Sequence, residues 1–253
     1  MTACLRVQPT ATSPGNDQTR TVMRFTFASY NIHKGVGLDR RRDPERILTV
    51  IDELDADVVV LQEVDRRFGT RETALPRQMV EEAHWQIAPV ARRPLSIGWH
   101  GNAVLVRREW ALLQSARIDL PVLEPRGAVS VEVQAPCGTR LQVAGMHLDL
   151  SGFRRRNQVE ALCAALGRPG LPTIMMGDLN EWSREKGSLA GFEDHWQIVT
   201  PGPSYPSRRP VARLDRAILS EHWKLVEAEI HHSALAARAS DHLPIKAVLE
   251  LHT

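Results

Sequence analysis

The chain holds 253 residues, 43% hydrophobic and 25% charged, enough to bury one large core and too short for several of that size. Its 32 basic residues against 30 acidic ones exclude a protein that coats nucleic acid through net charge alone. No apolar run approaches the ~20 residues of a membrane helix and residues 1–20 lack the apolar centre of a secretory signal, so the expected location is the cytoplasm, with no transmembrane segment and no protein partner indicated. Cys4, Cys137 and Cys163 are odd in number and widely spaced, which suits neither a disulfide framework nor a zinc site.

Residues 1–22 are rich in Thr, Pro, Ser and Gly with no apolar period and read as a disordered tail, leaving residues 23–253 as the folded domain. "MRFTFASYNI" reads as a strand. In "RDPERILTVIDELDAD" Asp43 is placed as a helix N-cap and Pro44 at the first helical position, with Ile47, Ile51 and Leu54 on one apolar face. "DVVVLQEV" is a continuous apolar run of the kind buried on both faces. The stretch from Phe68 to Trp99, interrupted by Pro and Arg, shows no clear element. Strands are expected over 102–106, 128–134 and 140–148, a helix over 153–166, and a strand ending in "PTIMMGDLNEW". After the loop "TPGPSYPSRRP" come strands near 214–219, 224–231 and 243–251. There is no clean linker and no repeat, and mixed strands with helices between them imply a layered α/β sandwich.

Strand after strand ends on a polar group that an ordinary core would not request. These are Asn31 in "SYNIHKG", Glu63 in "VVVLQEV", His147 in "AGMHLDL", Asp178 with Asn180 in "GDLN", and Asp241 with His242 in "SDHLP", while Asp215 interrupts the strand-like "RLDRAIL". Each alone has a plain structural explanation as a cap, a turn or a core-edge side chain. Glu63 resists it most, because a carboxylate abutting a buried run is costly without a compensating cation. The set offers carboxylate oxygens, amides and two imidazoles without clustered His and Cys, which favours Mg²⁺ or Mn²⁺ over zinc. Such an ion with an aspartate and a histidine suits hydrolysis at phosphorus. Four lysines among the 32 basic residues leave 28 arginines, whose planar fork suits phosphate, although genome composition explains such a bias equally well.

Five separated motifs in this order resemble the endonuclease/exonuclease/phosphatase superfamily, with "GDLN" and "SDHLP" the sharpest, over about Phe25 to Leu251. The resemblance implies a four-layer sandwich of two packed mixed β-sheets with helices outside and the active site at one edge of the sheets. It makes Glu63 the principal metal ligand, helped by Asn31 and Asp241. Asp178 would position the attacking water, Asn180 would hold water and phosphate, and His242 would contact the scissile phosphate while Asp215 fixes its imidazole. His147 follows the pattern of deoxyribonucleases and sphingomyelinases, whereas apurinic endonucleases carry a tyrosine there. "PRGAV" with Arg126 and "SIGWHGNAVL" with His100 and Asn102 are candidate substrate contacts, with a surface arginine and a glycine turn as the alternatives. In "FRRRNQVEAL" the run Arg154 to Arg156 reads as a solvated basic face.

The expected function is therefore a divalent-metal-dependent phosphodiesterase acting on a phosphate-containing substrate, most plausibly nucleic acid in the manner of a DNA nuclease. The alternatives are hydrolysis of a phospholipid head group or small phosphate ester, and a catalytically silent binding module.

Overall fold

The computed structural model describes residues 23–66, 69–121, 126–167, 170–184, 186–192 and 195–251. The tail expected over residues 1–22, with Cys4, lies outside the described residues. Two six-stranded sheets form the centre. The first contains β1 (Arg24–Asn31), β2 (Val58–Gln62), β3 (Trp85–Ile87), β4 (Ala103–Arg107), β11 (Trp223–Ile230) and β12 (Ile245–Leu251), in the order β11-β12-β1-β2-β4-β3. The second contains β5 (Ala111–Ile118), β6 (Gly127–Gln134), β7 (Arg140–His147), β8 (Thr173–Asp178), β9 (Trp196–Val199) and β10 (Asp215–Ser220), in the order β5-β6-β7-β8-β10-β9. Both sheets are mixed. Each has one parallel pair, β1 with β2 and β7 with β8, amid antiparallel neighbours.

The two parallel pairs need crossovers, and helices supply them. Helix α1 (Pro44–Glu53) joins β1 to β2, and α3 (Gly152–Leu166) joins β7 to β8. Asp43 caps α1 as the sequence suggests, its carboxylate accepting from the Arg46 N–H at 2.9 Å with Pro44 next in line. Ile47, Val50 and Ile51 then face the first sheet. Shorter helices α2 (Arg77–Glu82) and α4 (Ala236–Ala239) cover the same face.

Apolar side chains accordingly form three layers. One lies between the sheets, built on Phe25, Phe27, Val58, Val60, Val104, Val129, Val143, Ile174 and Leu219. A second lies between the first sheet and α1, and a third between the second sheet and α3. The result is the four-layer α/β sandwich. At its centre the sheets approach closely enough that a Cβ on Gly145 would stand 2.6 Å from Val60 Cγ1. Among the described residues no helix is long and apolar enough to cross a membrane.

The elements not read from sequence are short or lie on edges. Strands β3, β5 and β9 are all outer or near-outer strands, and β5 is mostly exposed. An edge strand carries little apolar alternation because one side of it meets water. Arg155 corrects the expectation of a solvated basic face. It is buried, donating to the carbonyls of Asp149 and Leu150 and pairing with Glu181 at 3.2 Å.

Candidate active site

Along the central strands the positions facing the inter-sheet core are apolar until the end, where they turn polar. Ile174 and Met176 lead to Asp178 on β8, Val143 and Gly145 to His147 on β7, and Leu219 and Ala217 lead back to Asp215 on β10. Register aligns these ends. Asp215 is opposite Asp178, Asp178 is opposite His147, and His147 is opposite Gly127 of β6. Residues in one register row share a face, so three of the candidate site side chains stand side by side where the core runs out. From the other sheet β1 adds Asn31, two positions past Ser29 and four past Phe27 on the same face.

These residues form one connected network around a single oxygen. The Asn31 amide donates to Asp178 Oδ2 at 3.1 Å, and the same oxygen lies 3.4 Å from His147 Nε2 and 3.7 Å from His242 Nε2. Its partner Oδ1 accepts the Asn180 N–H at 2.9 Å, and the Asn180 side chain donates to the Leu148 carbonyl at 3.0 Å. On the far side His242 Nδ1 meets Asp215 Oδ2 at 2.9 Å, and the Ser204 hydroxyl donates to that oxygen. The Ser240 hydroxyl donates to the Asn31 carbonyl at 2.7 Å, tying the loop of Asp241 and His242 to β1. The Tyr205 ring packs 4.9 Å from the His242 ring.

Burial alone would raise a carboxyl and lower an imidazole. For Asp178 burial is outweighed by His242, His147 and the Asn180 N–H, and the group titrates below the ordinary carboxylate range. For His242 burial is outweighed by Asp215 and Asp178, which push it up to about 10. At neutral pH the site therefore pairs an ionised aspartate with an imidazolium. An aspartate so stabilised is a strong acceptor and orienter, and a protonated imidazole is suited to meeting an anion.

Glu63 follows β2 with a left-handed φ of 55°, a conformation that costs a residue with a Cβ about 1 kcal/mol or more. Its carbonyl accepts the Lys34 N–H at 3.0 Å and its carboxylate pairs with the Lys34 ammonium. Burial is opposed by His147 and Lys34, and the carboxyl is held below its ordinary value. Among the described residues no three His, Cys, Asp or Glu side chains are gathered to hold a metal. The donor chemistry nonetheless fits Mg²⁺, which retains waters and takes one or two carboxylates, and Glu63 already attracts a cation in the form of Lys34. Asp241 stands apart, its Oδ1 3.8 Å from His33 Nδ1 at the partly exposed rim.

A cleft of about 480 Å³ opens beside the network, lined by Glu63, Arg126, His147, His100 and Trp99 among others. Arg126 donates to the Leu148 carbonyl at 2.9 Å and contacts His147 Nε2. His100 packs on Trp99 with ring centroids 4.1 Å apart, and burial followed by the charge of Arg71 lowers its pKa. Asn102 is fully buried. Its side-chain amide donates to the Gly127 carbonyl at 2.9 Å and so ties the start of β4 to β6.

Sequence reasoning did not single out Lys34, Ser204, Tyr205 or Glu181. Lys34 had one available signal, since it is one of only four lysines among 28 arginines and directly follows the Asn31 motif. Glu181 is buried and accepts from the Ser183 and Ser188 N–H groups and the Ser188 hydroxyl, at 2.9, 2.9 and 2.8 Å, besides pairing with Arg155. It anchors the turn that follows Asn180.

The chain belongs to the endonuclease/exonuclease/phosphatase family, whose model matches residues 28–242. Members of that family are hydrolases of phosphate esters and generally use a divalent metal. No curated protein matches the sequence. Among solved structures, an endonuclease/exonuclease/phosphatase from Beutenbergia cavernae is 20% identical with a TM-score of 0.68, covering 90% of this chain and 72% of that one. D. rerio TDP2 complexed with a single-strand DNA product is 16% identical with a TM-score of 0.70, covering 89% and 98%. A mannosyl-6-phosphatase from Bacteroides thetaiotaomicron is 16% identical with a TM-score of 0.67, covering 89% and 99%. At these identities the likeness is one of fold.

Proposed function

We propose that this protein is a divalent-metal-dependent phosphoesterase that hydrolyses phosphodiester bonds, with nucleic acid the favoured substrate. The observation carrying this reading is the Asp178 oxygen shared by Asn31, His147 and His242 at 3.1, 3.4 and 3.7 Å. An ionised carboxylate that accepts from the Asn31 amide and stands near two imidazoles, one of them the His242 imidazolium, can orient a water for in-line attack while cations meet the phosphate oxygens. Asp178 orients that water, Asn180 holds the turn against Leu148, and His242 stabilises charge on the phosphoryl group. Asp215 and Ser204 keep the His242 ring in place and charged, and Arg126 and His147 face the substrate from the cleft. Glu63 and Asn31, with Asp241 from the rim, would hold Mg²⁺ or Mn²⁺. Bound there, the ion would supply Lewis-acid polarisation of a phosphoryl oxygen.

Nucleic acid is favoured by the arginine-rich cleft, and a fold neighbour, TDP2, is complexed with a DNA product. A second reading, hydrolysis of a small phosphate ester, is supported by the cleft volume of about 480 Å³, within the ~300–1,000 Å³ of small-molecule sites, and by the sugar phosphatase among the fold neighbours. The test is turnover of bis(p-nitrophenyl) phosphate with Mg²⁺, with EDTA, and by Asp178→Asn. Metal-dependent turnover that Asp178→Asn abolishes supports the reading; no turnover with any divalent ion refutes it. A salt series on single-stranded DNA separates the two substrates, since a chain of phosphates weakens its binding steeply with salt and a small ester does not.

A further inference from the structure

The wall of the cleft carries more positive charge than the protein itself can use. Lys34, Arg66, Arg71, Arg92, Arg93 and Arg126 face it, against the carboxylates of Glu63 and Asp65. Both carboxylates are engaged, Glu63 by Lys34 and Asp65 by the Ser96 hydroxyl at 2.6 Å. Of the cations, Arg66 pairs with Glu72 at 2.8 Å and Arg126 is bound to the Leu148 carbonyl. Arg93 reaches the Gly69 carbonyl at 3.5 Å, whereas among the described residues neither an ion pair nor a hydrogen bond engages the guanidinium of Arg71 or Arg92.

Both are nevertheless held in place. Arg71 sits on a left-handed φ of 50°, and its charge reaches Asp65 and His100 across the cleft. The Arg92 guanidinium carbon lies 5.5 Å from the centroid of Trp99, whose buried Nε1 has no hydrogen-bond partner. The segments carrying the two arginines are joined by the Thr73 N–H donating to the Leu95 carbonyl at 2.8 Å, and the Ala74 N–H donates to the Val64 carbonyl at 2.7 Å, tying the Arg71 segment to the residue that follows Glu63. Like charges gathered on a rigid wall repel one another, and an anion between them removes that repulsion. Guanidinium forks match phosphate oxygens, and a planar or apolar portion of the same ligand can lie against the aromatic wall.

We infer that Arg71 and Arg92 form a subsite for a second phosphate, so that the substrate carries another phosphate group on the Trp99 side of the one that is cleaved. This rests on the phosphoesterase reading above and narrows its substrates to esters with at least two phosphates. A nucleotide chain or a phosphorylated sugar could each supply that chemistry.

Matched pairs test it. Thymidine 5′-(p-nitrophenyl phosphate) is compared with the same ester bearing a 3′-phosphate, and fructose 6-phosphate with fructose 1,6-bisphosphate, all with Mg²⁺. In at least one pair the second phosphate is expected to raise kcat/KM by about ten-fold or more, as charge-assisted contacts do, and the pair that responds identifies the backbone. In Arg71→Ala/Arg92→Ala the within-pair ratio is expected to fall toward one, and Arg71→Lys/Arg92→Lys to restore part of it, with folding checked by thermal melts. A ratio near one in both pairs, or a ratio that survives the double substitution, overturns the subsite. If no probe is turned over, the phosphoesterase reading fails instead. Calorimetry of thymidine 3′,5′-bisphosphate against thymidine 5′-monophosphate then decides the subsite separately: a preference lost in the double variant sustains it, and equal affinity overturns it.

Discussion

Glu181→Gln is expected to destabilise the fold by about 3 kcal/mol at pH 7. The residue is 4% exposed and accepts two backbone N–H groups, one hydroxyl and an arginine. Burial works against its charge, but the Ser188 and Ser183 donors and Arg155 outweigh it and hold the carboxyl at about 2 against an ordinary 4.5. At about 1.4 kcal/mol for each pKa unit, that difference is worth about 3 kcal/mol to the folded state. Because the folded-state value lies below the ordinary one, this stability is fully present above pH 4.5 and is lost as pH falls toward 2. A glutamine retains one acceptor oxygen and turns an NH₂ toward donors that need an acceptor, so it forfeits the ionic part. Urea unfolding of both proteins at several values between pH 3 and 8 measures the difference. It should be widest at neutral pH and shrink with acid. A loss below about 1 kcal/mol, or one unchanged with pH, would refute the assignment of Glu181 as the ionised anchor of the turn behind Asn180.

Asp57 offers the opposite sign, since burial, opposed by the Thr26 N–H, pushes its carboxyl up to about 6. The folded state favours its protonated form and loses stability as pH rises through 6, so Asp57→Asn, which still accepts from Thr26, should gain about 2 kcal/mol at pH 8 and little at pH 4, read by thermal melts. Asp178→Asn should lower kcat/KM on bis(p-nitrophenyl) phosphate by roughly a thousand-fold or more, as removal of a central catalytic group does, in protein shown by its thermal melt to be folded at the assay temperature although less stable, since the charge held by His242 and His147 is lost as well; a loss of a few-fold would displace Asp178 from the reaction. Glu63→Gln should raise the Mg²⁺ concentration for half-maximal rate by about ten-fold or more, because it removes the principal charge offered to the ion, and an unchanged requirement would move the metal elsewhere.

Much of the site was legible because the chemistry sits at strand ends. Runs such as Val58 to Leu61 and Thr173 to Met176 mark buried strands by apolar content alone, and polar residues just beyond them in Asn31, Glu63, Asp178 and His242 are conspicuous in a linear reading. The cap of α1 was equally readable, because an Asp-Pro start signals its own partner three residues away. What no linear reading could supply is which strand lies beside which. The register row that sets Asp215, Asp178 and His147 side by side joins segments far apart in the chain, and the sharing of Asp178 Oδ2 depends on one sheet facing the other. Asn102 looked like a candidate substrate contact, yet it is buried to tie β4 to β6, and Arg155 looked like part of a solvated face until Glu181 came opposite it. Lys34, Ser204, Arg71 and Arg92 owe their places to loops whose backbone is set by distant hydrogen bonds. The sequence by itself determined the strands and the stock of reactive groups, since burial pattern and side-chain chemistry are local. Only the tertiary structure decided which groups share a proton, a charge or a cleft, because electrostatic energy depends on distances through space.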